Sequence, residues 1–272
     1  MSITILEGCV QTVWMPIKPA ATVYTGSLVS IDQSALDEGV LVRPKGVGVS
    51  NTTNKDRPLG VVLGNNLRSP VFSSTYEATY ITDEGVTGIR SSTTEYVNVE
   101  GVWPKGGKQA MVQVGIIGPG TLLRAPIRNA AIGTAITELT STAGNANGLT
   151  VTTDACDFTP VADLCSIYAR SGVNAGQYRV TDDTSTTVAT WDREMLNTTA
   201  GTGEKYVRVP VRTNGVSYVT IGDSTVASFI DAAVSPVTNY DIIHVVRLDL
   251  SEAGREFCDF FFDADAFCTN RA

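Results

Sequence analysis

The sequence predicts a mainly β protein, with a β-barrel or β-sandwich core and a smaller α+β C-terminal region. The chain has 272 residues, of which 34 are threonines and 32 are valines. These stiff, branched residues favour the pleated backbone of strands. Short apolar runs also alternate with turns that contain Gly or Pro, at a spacing typical of a barrel or sandwich. Hydrophobic residues make up 43% of the chain, which is enough to bury a core.

The first third of the chain is predicted to form an extended N-terminal arm, residues 1–20, followed by short strands. Three strands are expected at Leu28–Ile31, Val40–Arg43 and Pro58–Gly64, each bounded by polar or turn-forming residues. Residues 65–94 are rich in Ser and Thr and weakly patterned. We therefore expect an excursion from the barrel there, either an extended loop or an inserted hairpin.

Regular strand patterns return after this excursion. Tyr96–Glu100 and Ala110–Val114 alternate apolar and polar residues, which is typical of half-buried strands. Further strand-like runs follow at Thr121–Arg124, Ile132–Ile136, Leu149–Thr152, Leu164–Ala169 and Tyr178–Thr181. Together these runs predict a barrel or sandwich domain over residues 21–183.

Residues 184–272 are predicted to form the smaller α+β region. Strand-like runs occupy Tyr206–Arg212, Tyr218–Ile221 and Asp241–Leu248, and the chain ends in the aromatic, acidic segment Phe257–Phe267.

One helix is predicted in this region, over residues 226–234. Its apolar residues recur at i, i+3, i+4, i+7 and i+8 and so form a single stripe, which comprises Val226, Phe229, Ile230, Ala233 and Val234. Asp223 or Ser224 is placed to cap the start of this helix, and Pro236 is placed to end it.

The acidic composition argues against several classes of partner. The net charge is −8 and the pI is about 4.7. Nucleic acids and anionic membranes are bound by basic surfaces, so we expect neither as a partner. No apolar run approaches the roughly 18 residues of a membrane-spanning helix, and residues 1–10 lack the basic start of a signal peptide. We therefore expect a protein made and assembled in a cytoplasm.

The cysteines and the single histidine indicate neither a cofactor nor a metal site. None of the five cysteines has C-x-x-C spacing. Cys156 with Cys165, and Cys258 with Cys268, could each close a short loop as a disulfide, or all five could be buried small hydrophobes. Both alternatives stay open at this stage.

One pair of motifs is similar to those of GDS-type esterases. Gly222–Ser224 matches the start of their nucleophile block, and Asp241 and His244 have the D-x-x-H spacing of their Asp and His. In that family the two blocks lie near opposite ends of the domain, whereas about twenty residues separate them here. Ser224 also has a role as a helix cap, and His244 lies in an apolar run. We therefore predict no enzyme and no catalytic residues, and keep the esterase as a remote alternative.

The C-terminal segment allows two interpretations of its acidic and aromatic residues. Asp259, Asp263 and Asp265 could offer hard oxygen ligands to calcium, although their spacing is not that of an EF-hand loop. A solvated acidic face beside buried phenylalanines is the preferred interpretation. The phenylalanines could equally dock on a neighbouring subunit or fill the chain's own core.

Four short motifs occur in a familiar order: Thr25–Val29, Pro58–Val62, Ala110–Gly115 and Ala131–Ile136. This order resembles the head decoration (capsid cement) proteins of tailed bacteriophages, whose small β-barrel carries comparable Gly-, Pro- and Val-containing strands. The resemblance covers residues 20–180.

This resemblance implies a non-enzymatic virion structural protein that binds the outside of a phage-like capsid. Such proteins often form trimers at local three-fold positions and stabilise the capsid by bridging its subunits. The implied partners are the major capsid protein and further copies of this chain, in a homotrimer on the virion exterior. Function would then depend on buried contact area and strand pairing.

Three groups of residues are the expected contacts with the capsid or with a sister subunit. They are Val13, Trp14, Met15 and Ile17 of the N-terminal arm, the basic pair Arg124 and Arg128, and the C-terminal Phe260 and Phe262. Each group has a plainer alternative: a strand packed on its own barrel, a solvated loop, and a self-contained core.

The alternative function from a different class is a host-attachment module of a head or tail fibre that binds glycans. It predicts exposed aromatic side chains, such as Trp103 or Trp191, along a shallow groove. Copy number separates the two hypotheses, because a cement protein coats a head whereas an attachment protein occupies a few vertex or tail positions.

Overall fold

A computed structural model gives the fold of a large part of the chain. It describes residues 3–8, 11–16, 23, 25–31, 42–44, 57–65, 79–81, 87–89, 108–109, 111–129, 134–145, 148–151, 165–185, 188–192, 204–212, 215–219, 221–223, 228–233 and 241–267. Within these ranges, no helix has the length and apolar character needed to span a membrane.

The described residues form strands almost throughout. In chain order the strands are β1 (Thr4–Glu7), β2 (Gln11–Pro16), β3 (Leu28–Ile31), β4 (Val42–Pro44), β5 (Gly60–Asn65), β6 (Thr79–Ile81), β7 (Thr87–Ile89), β8 (Lys108–Gln109), β9 (Met111–Ile116), β10 (Leu122–Arg128), β11 (Leu139–Asn145), β12 (Gly148–Val151), β13 (Ser166–Ala169), β14 (Gly176–Ser185), β15 (Val188–Trp191), β16 (Lys205–Val209), β17 (Gly215–Val219), β18 (Ile221–Asp223), β19 (Ser228–Asp231), β20 (Asp241–Asp249) and β21 (Phe257–Phe262). A short 3₁₀ helix, Ala264–Phe267, follows the last strand.

These strands make four sheets. A five-stranded sheet has the order β2-β9-β5-β3-β4, and a small sheet has the order β7-β6-β8. A closed barrel runs β11-β12-β15-β14-β13-β16. A seven-stranded sheet runs β17-β20-β21-β10-β19-β18, with β1 paired to β10 beside β19. The predicted mainly β fold class is confirmed.

The main hydrophobic core joins three of these sheets. Leu28 and Val61 enter it from the five-stranded sheet, Phe260 from the seven-stranded sheet, and Val207 and Val209 from the barrel. Because strands from distant parts of the chain share this core, burial of apolar surface holds the three sheets together. A second, smaller core lies against the five-stranded sheet and contains Val29, Val62, Val112 and Val114.

The predicted helix over residues 226–234 is wrong where the structure describes it. Residues Ser228–Asp231 form β19, and Ala232 and Ala233 form a turn. β19 pairs in parallel with β10 and antiparallel with β18, so backbone groups on both of its sides are hydrogen-bonded. Ser228, Phe229 and Ile230 are consecutive and all buried, whereas a surface helix would leave one side of each turn exposed to solvent. Tertiary burial has overridden the apolar periodicity, and the α part of the predicted C-terminal region is not confirmed.

The strands of the N-terminal segment and the strand at residues 183–184 are part of the chain's own sheets. β1 pairs with β10 and β2 pairs with β9, so residues of the predicted extended arm belong to two of the chain's own sheets. This corresponds to the alternative in which the N-terminal segment packs on its own fold. β14 crosses the predicted boundary between residues 183 and 184, and the barrel continues to Val209.

Candidate functional site

The end of the five-stranded sheet formed by β2 carries three of the predicted contact residues. In the β2/β9 ladder, Trp14 lies opposite Gln113, and its side chain is 47% exposed. Met15 is buried in the second core and Val13 packs partly against it. A partner can therefore reach Trp14, whereas a direct contact through Met15 is corrected to a core role. Ile17 lies outside the described residues.

The strand that carries Trp14 is uncharged. The strand Gln11–Pro16 contains no charged side chain, although edge strands are commonly protected by charged residues or bulges. On the other side of β9, Gln113 lies opposite Gly64 of β5, next to a bulge between Val62 and Gly64. Leu63, in that bulge, is 40% exposed. Strands on both sides of β9 thus present a large apolar side chain to solvent.

Arg124 is engaged by its own chain. Its Nε donates to Oδ1 of Asp259 at 2.6 Å and its Nη2 donates to Oδ2 at 2.8 Å, which is a bidentate ion pair across β10 and β21. The guanidinium also lies over the Phe257 ring, 4.1 Å from its centroid. The hydrogen bond to Asp259 raises the pKa of Arg124. Arg124 thus has an acidic partner within its own chain, while a contact with a further acidic partner stays a prediction.

Arg128 is buried and shares one carboxylate with a second arginine. Its Nη1 donates to Oε2 of Glu256 at 3.1 Å, and its Nη2 donates to the carbonyl of Gly254 at 2.7 Å. Arg170, which follows barrel strand β13, donates through Nη2 to Oε1 of Glu256 at 2.5 Å. Burial lowers the pKa of Arg128, and the attraction of Glu256 opposes this. Arg128 is therefore corrected from a surface contact to a buried junction between the barrel and the seven-stranded sheet.

Phe260 and Phe262 fill the chain's own core. Both are buried, and their rings meet edge to face with centroids 5.4 Å apart. Phe262 makes a second edge-to-face contact with Phe267 of the 3₁₀ helix, at 6.2 Å. This burial leaves neither ring at the surface, so the expected docking contact is corrected to the self-contained core.

The esterase-like motifs do not assemble as their spacing suggested. Nε2 of His244 lies 2.6 Å from Oδ2 of Asp263, and its ring stacks on Phe261. Asp241 lies three residues before His244 on the same strand, so the two side chains leave opposite faces of the sheet. Ser224 lies outside the described residues.

Gly222 has a packing role in this fold. A Cβ atom at this position would lie 2.6 Å from Cζ of Phe229, which is buried in the neighbouring strand β19. The glycine that begins the esterase-like motif is therefore explained by packing, because the Phe229 ring leaves no room for a Cβ atom.

The C-terminal carboxylates are used individually. Asp259 pairs with Arg124, Asp263 contacts His244, and Asp265 is exposed. Among the residues that the structure describes, no group of three or more His, Cys, Asp or Glu side chains could hold a metal ion.

Two of the cysteines can be located. Cys165 and Cys258 are buried, and Cys258 is a free thiol, which agrees with the small-hydrophobe alternative for that residue. Burial raises the pKa of the Cys258 thiol and so disfavours its thiolate form. The other three cysteines, Cys9, Cys156 and Cys268, lie outside the described residues.

The structure describes neither tryptophan side chain of the host-attachment alternative. Trp103 lies outside the described residues, and only the backbone of Trp191, in β15, is described.

The partners of the two arginines were not apparent in the sequence. Asp259 is 135 residues from Arg124, and Glu256 is 128 residues from Arg128. Comparison with known proteins adds no relative, since no family model, no curated protein and no solved structure matches this chain.

Proposed function

We propose that this chain is a non-enzymatic virion structural protein that binds the outside of a phage-like capsid and stabilises it by bridging capsid subunits. The observation that carries the proposal is the neutral edge strand β2 with the half-exposed side chain of Trp14 at its centre. The order of short motifs that resembles head decoration proteins supports the same assignment. The proposed partners are the major capsid protein and further copies of this chain, in a homotrimer.

The edge of β2 suits this role for a physical reason. A strand at the end of a sheet can accept another extended segment through main-chain hydrogen bonds, and large side chains then fix the register. Tryptophan is enriched among residues that dominate binding energy, because it buries a large area at a small entropic cost. In this proposal, Trp14 and Leu63 contact the capsid, while the internal ion pairs keep the protein rigid.

Binding of purified protein to heads of the virus that encodes it tests the proposal. Heads lacking the protein are incubated with the wild type, with Trp14→Ser, or with the matched control Val246→Ser. Val246 is 51% exposed but lies on β20 of the other large sheet. Bound protein is counted after sedimentation, and its position is determined by electron cryomicroscopy.

We expect many copies of the wild type and of the control over the head, with Trp14→Ser bound at least about tenfold more weakly. The absence of wild-type binding would overturn the proposal. A few copies at a vertex or tail would instead favour the host-attachment alternative, in which exposed aromatic side chains bind glycans. Equal binding of both variants would remove the β2 edge as the contact.

A further inference from the structure

A cavity of about 220 Å³ lies between the five-stranded sheet and the C-terminal 3₁₀ helix. Among the residues that the structure describes, its apolar lining is formed by Ile31, Pro58, Leu59 and Phe267, and its charged lining residue is Arg57. The cavity has space for several water molecules, or for one ring with a short polar tail.

Both apolar walls are held in place by the protein cores. Leu59 packs against the second core, and Phe267 packs against the main core while contacting Phe262 edge to face. These two walls of the cavity are therefore anchored by packing against the two cores. Preformed apolar walls beside a charged group are typical of sites that bind small ligands.

Arg57 gives the cavity its chemical preference. Its Nε is shielded from solvent and has no hydrogen-bond partner among the described residues. A buried donor of this kind calls for an acceptor, and a guanidinium is best matched by a carboxylate. The carboxylates of Glu256, Asp259 and Asp263 are engaged elsewhere, by Arg128, Arg124 and His244 respectively.

We propose that this cavity binds a small carboxylate carried on an apolar group, of the arylalkyl carboxylate class. The carboxylate accepts hydrogen bonds from the Arg57 guanidinium, and the apolar group lies against Leu59 and Phe267. This site is separate from the β2 edge, so the inference stands independently of the capsid-binding proposal.

Titration of the full chain with 3-phenylpropionate, followed by isothermal calorimetry, tests the site. The matched neutral probe is 3-phenylpropanol, which has the same ring and chain but no charge. The variants are Arg57→Gln, Arg57→Lys and the control Arg255→Gln, which alters an exposed arginine paired with Glu252.

We expect the acid to bind the wild type and the control at least about tenfold more tightly than the alcohol does. Arg57→Gln should remove this preference and Arg57→Lys should retain part of it. The proposal is overturned if the acid does not bind the wild type, if the alcohol binds equally well, or if a folded Arg57→Gln variant binds the acid unchanged. Should Arg57→Gln fail to fold, as judged by circular dichroism, the comparison of acid and alcohol on the wild type decides.

Discussion

The two large open sheets differ in how they use their charged groups. In the seven-stranded sheet, Arg124 and Arg128 are paired with carboxylates of the same chain, although Leu6 and Val246 of that sheet are exposed. In the five-stranded sheet, the neutral strand β2 presents Trp14 to solvent, and Leu63 is exposed on β5. The first sheet uses its charges for internal cohesion, whereas the second exposes an aromatic side chain on a strand without charge. The sites that sequence motifs single out therefore need not be the sites that face outwards.

The largest expected effect comes from Glu256→Ala, which removes the carboxylate shared by Arg128 and Arg170. Buried Arg128 would lose its counter-charge and Arg170 would keep only the partly exposed Glu138, so we expect the free energy of unfolding to fall by about 3–5 kcal/mol. Urea denaturation measures this change. The control is Glu252→Ala, an exposed partner of Arg255, which should cost about 0.5 kcal/mol or less. A loss below about 1 kcal/mol for Glu256→Ala would show that the junction is not held by this carboxylate.

Gly60→Ala should destabilise the five-stranded sheet without touching any charge. A Cβ at this position would lie 2.4 Å from the carbonyl oxygen of Gly115, a backbone atom of the neighbouring strand that cannot rotate away. We expect a loss of about 1–3 kcal/mol in the free energy of unfolding. Gly118→Ala is the matched control, because nothing lies within 4 Å of its Cβ position. Equal stability of the two variants would mean that β5 and β9 can separate at little cost.

Arg124→Gln removes the bidentate ion pair on the outer face of the seven-stranded sheet. Because the Arg124 side chain is 30% exposed, the expected loss is discounted for solvent screening to about 1–2 kcal/mol. The difference between wild type and variant should shrink in 1 M salt, which screens the pair. Denaturation at low and high salt checks both parts, and a salt-independent difference would attribute the loss to packing on Phe257.

The smallest effect concerns pH. The hydroxyl of Ser251 donates to Oδ1 of Asp249 and, as the main cause, lowers the pKa of that carboxyl in the folded protein. A depressed folded pKa contributes stability above the ordinary pKa of Asp, and this stability is lost as the pH falls through the folded value. Ser251→Ala should therefore cost about 0.5 kcal/mol at pH 7 and nothing at a pH below both pKa values. Denaturation curves at neutral and acidic pH measure it, and a difference that persists in acid would contradict this cause.

Strand content and several strand positions could be predicted from the sequence. The run Leu28–Ile31 is β3, Pro58–Gly64 overlaps β5, and Asp241–Leu248 overlaps β20. These stretches combine branched apolar residues with clear turn residues at their ends, so local preference and tertiary burial agree. Residues 226–234 show the opposite case, since a helical apolar period there was outweighed by pairing with β10 and β18.

The candidate contact residues divide along the same line. The sequence identified Trp14, Arg124 and Phe260 as notable side chains, but it contained no signal for which of them is exposed. Trp14 is exposed because its side chain leaves the face of β2 opposite to Met15 and Val13, which pack in or against the second core. Arg124 is engaged by Asp259 and Phe260 is buried in the core, because β10 and β21 pair with each other although they are more than a hundred residues apart in the chain.

By itself, the sequence determined that this protein is built of strands. Val and Thr are abundant along the chain, and both favour a pleated backbone. It also determined the acidic net charge, which is a sum over residues and does not depend on the fold. Only the tertiary structure decided which charges meet, which of the described strands end a sheet and which apolar side chains face solvent. Those outcomes depend on strand pairing between distant segments, and such pairing is set by the shared core, which local sequence patterns do not encode.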